Sequence, residues 1–121
     1  MLVVEDEEML RDMAAAMLES SGFTVLKAKD GIEALEVFGK HQRKIKFVLT
    51  DLTMPRMDGW QTIAAVRRIS PGVRVILASG YSEAQAMEGR HQELPQAFLS
   101  KPYDLEVLTS TLARVLTDQP A

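Results

Sequence analysis

Five short runs rich in β-branched and aromatic residues alternate with longer stretches whose apolar residues recur at helical spacing, and this alternation constrains the fold more than any other feature. The runs are Leu2-Val3-Val4, Thr24-Val25-Leu26, Phe47-Val48-Leu49, Val73 to Ala78 and Ala97-Phe98-Leu99. Between and after them, Met9, Leu10, Met13 and Met17 mark one helical face. Ile32, Leu35 and Phe38 mark another, followed by Ile63 with Val66, and by Leu105, Leu108, Leu112 and Val115. A further helix is expected over Ser82 to His91. Asp30 with Glu33, Asp58 with Gln61 and Ser82 with Gln85 have capping-box spacing, and Asp104 is placed to cap the last helix. Strands joined through helices need right-handed crossovers, so they run parallel with helices on both faces. The expectation is a doubly wound α/β domain around a five-stranded sheet.

At 121 residues and 46% hydrophobic, the chain fits one domain, residues 1–121, with a single core. No repeat, linker or low-complexity segment divides it. The formal charge is −3 with both signs interspersed, which argues against nucleic acid or an anionic membrane as a direct partner. The basic loop Lys40 to Lys46 reads as a solvated turn rather than a docking site. Without cysteine there are no disulfides, thiolate metal sites or cysteine nucleophiles. The longest apolar run, Met13 to Leu18, is far too short to span a bilayer, so a soluble, cytoplasmic protein is expected. The chain opens almost directly on a strand, which is the pattern of a trimmed N-terminus and a larger parent.

In an open parallel sheet, ligands bind beyond the carboxyl ends of the strands. Strand one runs into Glu5-Asp6, strand three into Asp51, strand four into Ser79 and strand five into Ser100-Lys101-Pro102, whereas strand two ends in Ala28 and Lys29. That distribution suits the order 2-1-3-4-5, with strand two at the edge and the reactive groups flanking the switch point. Gathered carboxylates repel, and a hard cation with oxygen ligands relieves the repulsion, which makes Mg²⁺ the natural candidate. Lys101 adds a positive charge for an anion and Ser79 a hydroxyl donor. Asp51 is already ionised at neutral pH, so it can attack phosphorus without a general base and yield an acyl phosphate. Taken singly these residues have plainer readings. Glu5 to Glu8 would complement a helix N-terminus, Lys101 would be a surface lysine and Ser79 a turn residue. Their joint placement after four strands is what points to a site.

The motifs Val3-Val4-Glu5-Asp6-Glu7, Asp51-Leu52-Thr53-Met54-Pro55-Arg56-Met57-Asp58-Gly59, Ala78-Ser79-Gly80-Tyr81 and Lys101-Pro102 occur in order, and over essentially its whole length the chain resembles the receiver domain of two-component response regulators. The resemblance implies the flavodoxin-like (βα)5 fold of chemotaxis-type regulators. It implies a signalling domain rather than an enzyme, one that takes a phosphoryl group onto Asp51 from a sensor histidine kinase or a histidine phosphotransfer protein. Glu5, Asp6, Asp51 and the Thr53 backbone carbonyl would hold Mg²⁺, and Ser79 and Lys101 would meet the phosphoryl oxygens. Phe98 falls at the family's switch aromatic, although it is equally a core strand residue. Phosphorylation would draw Ser79 inward, let Phe98 turn and reshape the partner-binding face built from the fourth helix, the fifth strand and the fifth helix, and a second copy of the domain is a further candidate partner. The Lys101-Pro102 bond is often cis in the family. Glu5, Ser79 and Phe98 stand where Asp, Thr and Tyr are more common, and Thr53 and Tyr81 occupy places that influence acyl-phosphate hydrolysis. The Asp51 to Gly59 stretch with Ser79-Gly80-Tyr81-Ser82 looks like receivers attached to hybrid sensor histidine kinases, whose parent chain carries the kinase activity.

Two other classes compete. A haloacid-dehalogenase-type phosphatase resembles Asp-x-Asp, and Thr53 stands in place of its second acid. A degenerate receiver acting only as a binding module would have lost Asp51 or Lys101, and both are present. A nucleotide site needs a glycine-rich loop after strand one, where four consecutive acids stand instead.

Overall fold

A computed structural model describes residues 1–81, 85 and 93–117. The elements are β1 (Leu2–Val4), α1 (Glu8–Ser20), β2 (Leu26–Ala28), α2 (Gly31–His41), β3 (Phe47–Asp51), α3 (Gly59–Ile69), β4 (Arg74–Ser79), β5 (Ala97–Ser100) and α4 (Leu105–Thr117). The helix expected over Ser82 to His91 falls, Gln85 apart, outside the described residues. All strand pairings are parallel, and the sheet has the order β2-β1-β3-β4-β5, as expected from the strand ends.

Alternate side chains of each strand enter opposite layers, as the two-residue period of a strand requires. Val3, Leu49, Ile76, Ala78 and Leu99 pack with Ala14 and Leu18 of α1 and with Leu108, Leu112 and Val115 of α4. Leu2, Val4, Val48, Val75 and Leu77 pack on the other face with Ala34 and Phe38 of α2 and with Ile63 and Val66 of α3. Continuous apolar strands with no polar face are what a sheet covered on both sides demands.

One boundary and one helix face differ from the sequence-based expectation. β2 lies later than Thr24-Val25-Leu26, because its ladder with β1 starts only where Leu26 donates to the Met1 carbonyl at 2.8 Å and pairs with Leu2. β-Branching at Thr24 and Val25 favours an extended chain, but pairing decides where the strand is. In α1 the buried residues are Ala14, Ala15 and Leu18, whereas Met9 is 75% and Met13 49% exposed. The face expected from Met9, Leu10, Met13 and Met17 is therefore rotated by roughly a third of a turn from the one that meets the sheet.

The caps expected at Asp30, Asp58 and Asp104 form, while the Ser82 spacing lies outside the described residues. Asp58 accepts from the Gln61 N–H while the Gln61 side chain accepts from the Asp58 N–H, both at 2.9 Å, a complete capping box on α3. Asp30 accepts from the Glu33 N–H at 2.8 Å, and Asp104 from the Val107 N–H at 2.8 Å. The Glu33 carboxylate turns to the Lys29 N–H instead, so this box is half formed. Gly59 lies so close to β3 that a Cβ would stand 2.6 Å from the Asp51 carbonyl oxygen, which ties the start of α3 to the end of that strand.

Candidate functional site

The parallel register carries the polar strand ends to one edge of the sheet. Asp51 closes β3 opposite Ala78, Ser79 closes β4 opposite Ser100, Glu5 follows β1 directly and Lys101 follows β5. Glu5, Asp6 and Asp51 each offer a carboxylate oxygen, and these atoms lie within 4.8 Å of one another. Lys101 reaches into the group, with Nζ 2.8 Å from Glu5 Oε1 and 3.3 Å from Asp51 Oδ1. Its backbone is held by a 2.8 Å bond from its N–H to the Ser79 carbonyl, and the Lys101-Pro102 bond is cis.

Burial penalises the Asp51 carboxylate most and the negative charge of Glu5 adds to this. Lys101 offsets only part, so the carboxyl is pushed up to about 7. Glu5 is also penalised by burial, but hydrogen bonds from Lys101 and Asp6 outweigh this and hold its carboxyl below the usual range. Asp6 is raised by burial and by its neighbour Glu5. Burial opposes the Lys101 ammonium, yet its bond to Glu5 and the charge of Asp51 raise it overall. One ammonium thus faces three carboxylates, and the cluster is short of positive charge. Clustered, oxygen-only donors with too little positive charge fit a hard divalent cation of the Mg²⁺ type.

The other predicted residues lie on β4, on β5 and in the loop after β3. Ser79 is buried, and its Oγ accepts from the Tyr81 N–H at 2.9 Å. Thr53 is exposed in the loop after Asp51. Phe98 is half-buried on the α3 side of β5, where its ring meets Trp60 edge-on with centroids 6.2 Å apart. Sequence reading did not single out Trp60, nor Arg11, whose guanidinium donates to the Glu5 carbonyl at 3.0 Å and braces the acidic turn. Neither sits in a recognisable motif, so only the fold discloses them. Beside the cluster opens a cleft of about 90 Å³ lined by Glu5, Leu10, Met13, Met17, Lys101 and Tyr103 among others.

The family of response regulator receiver domains matches residues 1–113. The chain is 34% identical over 118 residues to the sensor kinase CckA of Brucella abortus (strain 2308), which covers 98% of this chain and 12% of that kinase. Among solved structures, the receiver domain of the hybrid histidine kinase CckA superposes with a TM-score of 0.80 at 31% identity, covering 96% of this chain and 97% of that one. A chain of the CheX-CheY-BeF3-Mg+2 complex from Borrelia burgdorferi gives 0.86 at 26% identity, covering 97% and 88%. The protein belongs to the response regulator receiver family of two-component systems. Within that family it is related to the receivers of hybrid histidine kinases. No helix among the described residues is long and apolar enough to cross a membrane.

Proposed function

We propose that the chain is a phosphorylation-switched receiver domain, residues 1–121, that takes a phosphoryl group onto Asp51 from a phosphohistidine on a sensor histidine kinase or a histidine phosphotransfer protein. The observation that carries this reading is the convergence of Glu5, Asp6 and Asp51 with Lys101 at the carboxyl edge of the sheet. Glu5, Asp6, Asp51 and the Thr53 carbonyl would hold Mg²⁺, which when bound supplies charge neutralisation for phosphoryl oxygens.

The Asp51 carboxylate oxygen attacks phosphorus. The bond from phosphorus to the histidine nitrogen breaks, its electron pair leaves with the imidazole, and an acyl phosphate forms on Asp51. Lys101, now bridging Glu5 and Asp51, turns one donor to the phosphoryl oxygens, and the Ser79 hydroxyl supplies another. Moving Ser79 disturbs its bond with the Tyr81 N–H, and Phe98 leaves its edge contact with Trp60, so the surface around β5 and α4 changes shape. The chain performs its own phosphoryl transfer and slow dephosphorylation and turns over no other substrate. Its setting is cytoplasmic, within a parent carrying histidine kinase activity or beside one, and a second copy of the domain is a further candidate partner.

Incubation with acetyl phosphate, with and without Mg²⁺, followed by intact mass measurement, tests the assignment. A phosphoryl adduct is expected only with Mg²⁺ and only in the wild type, not in Asp51→Asn. Labelling of that variant would overturn it.

A further inference from the structure

Among the described residues Arg56 is the one non-glycine with positive φ, at 67°. An L-residue in this region crowds its Cβ against its own backbone, so an outside contact has to hold it there. That contact is an ion pair between Arg56 Nη2 and Asp30 Oδ2, joining the loop after β3 to the turn before α2. The Asp30 side chain is only 4% exposed while that of Arg56 is 58% exposed, so a surface cation reaches inward to a buried anion. The other Asp30 oxygen caps α2 through the Glu33 N–H. One buried carboxylate thus secures a helix start and the neighbouring loop together.

Elsewhere the loop is anchored by Met54, which is buried with Ala34, Phe38, Ile63 and Val66, and by hydrogen bonds near its ends and at one tight turn. Gly59 N–H donates to the Leu52 carbonyl at 2.8 Å, and Met57 N–H to the Pro55 carbonyl at 2.7 Å. Next to Asp30, Gly31 packs so tightly that a Cβ would stand 2.7 Å from Met57 Sδ and 2.5 Å from Thr62 Oγ1. The α2 turn and the loop are therefore seated against each other, with Arg56 as the charged link.

We propose that the Arg56–Asp30 pair is a positioning clamp that holds the backbone between Asp51 and Asp58 in place for the divalent cation before the cation arrives. Neither residue belongs to the Glu5, Asp6 and Asp51 cluster, so the clamp acts through the loop that carries Thr53. The inference rests on the cation reading of that cluster. It assigns to Arg56 a role that its exposure alone would not suggest, since an ordinary surface ion pair contributes little.

The test compares wild type with Arg56→Ala, Arg56→Lys and Asp30→Asn, the last of which keeps a good capping side chain on α2. Hydrogen exchange at the Met57 and Gly59 amides, without metal, reads loop order. Titration with Mg²⁺, followed through the fluorescence of Trp60, the single tryptophan of the chain, reads the site. Arg56→Ala and Asp30→Asn should both exchange faster and bind Mg²⁺ about tenfold more weakly, the effect typical of residues that orient metal ligands from behind. Arg56→Lys should recover most of both. Unchanged exchange, or faster exchange with unchanged Mg²⁺ affinity, overturns the clamp. A wild type that ignores Mg²⁺ overturns the cation reading instead, whatever the variants do.

Discussion

Asp51 should destabilise the metal-free protein at neutral pH, and replacing it should reveal by how much. Its carboxyl is moved from an ordinary 3.8 to about 7, first by burial and then by Glu5, with Lys101 compensating in part. Because the folded value is raised, folding takes up a proton between these limits, and stability from this group falls as pH rises from about 4 through 7. The full displacement corresponds to about 4 kcal/mol, and screening by solvent at a partly accessible group reduces this to about 1–2 kcal/mol. Asp51→Asn keeps the shape and removes the charge, so at pH 7.5 with chelator it should gain about 1–2 kcal/mol, or about 3–8 °C in Tm. Near pH 3 the two proteins should melt together, since the wild-type carboxyl is then mostly protonated in either state. Saturating Mg²⁺ should narrow the gap at pH 7.5, because the wild type gains binding energy that the variant lacks. Thermal melts followed by circular dichroism across this range decide the matter. An Asn variant less stable than wild type at pH 7.5, or a difference that does not change with pH, would refute the charge argument.

Two glycines should respond in opposite senses. Gly39 is exposed within α2 and an added Cβ meets no atom within 4 Å, so Gly39→Ala should raise stability by about 0.5–1 kcal/mol in thermal melts. Gly59→Ala would drive a methyl to 2.6 Å from the Asp51 carbonyl and the Leu77 side chain, and should cost about 1–3 kcal/mol in the same assay. Asp58→Ala removes the reciprocal cap of α3 and should cost about 1 kcal/mol, measured by denaturant titration with an unchanged slope.

Much of the fold was legible because it is written locally. The strand order followed from asking which strands end in reactive groups, and Ala28-Lys29 after β2 placed that strand at the edge, where it lies. Capping residues located the starts of α2, α3 and α4, since a cap concerns only the next three residues. The α1 face was misread for a physical reason. Methionine and leucine dominate any count of apolar periodicity, but the surface that meets the sheet is chosen by fit, and Ala14 and Ala15 let the helix come close. Met9 and Met13 are left toward solvent, and Met13 and Met17 line the cleft beside Glu5 and Lys101.

The site divides along the same line. That Glu5, Asp6, Asp51, Ser79 and Lys101 would share one edge could be inferred, because each closes its strand or stands within two residues of its end. How their charges balance could not, because Lys101 meets Glu5 across 96 residues of sequence and its allegiance between Glu5 and Asp51 depends on distances of 2.8 and 3.3 Å. Burial then amplifies the imbalance. The lysine favours Glu5, which stays ionised, and Asp51 carries the penalty, with its carboxyl near 7 instead of near 4. A cation entering among these oxygens would return the Asp51 carboxyl toward its ordinary range, so the residue that pays most for the metal-free fold is the one whose nucleophilic form the metal would restore. The same long-range logic applies to Arg56 and Asp30, 26 residues apart, whose pairing no local pattern announces and whose backbone strain becomes intelligible only when both ends are seen.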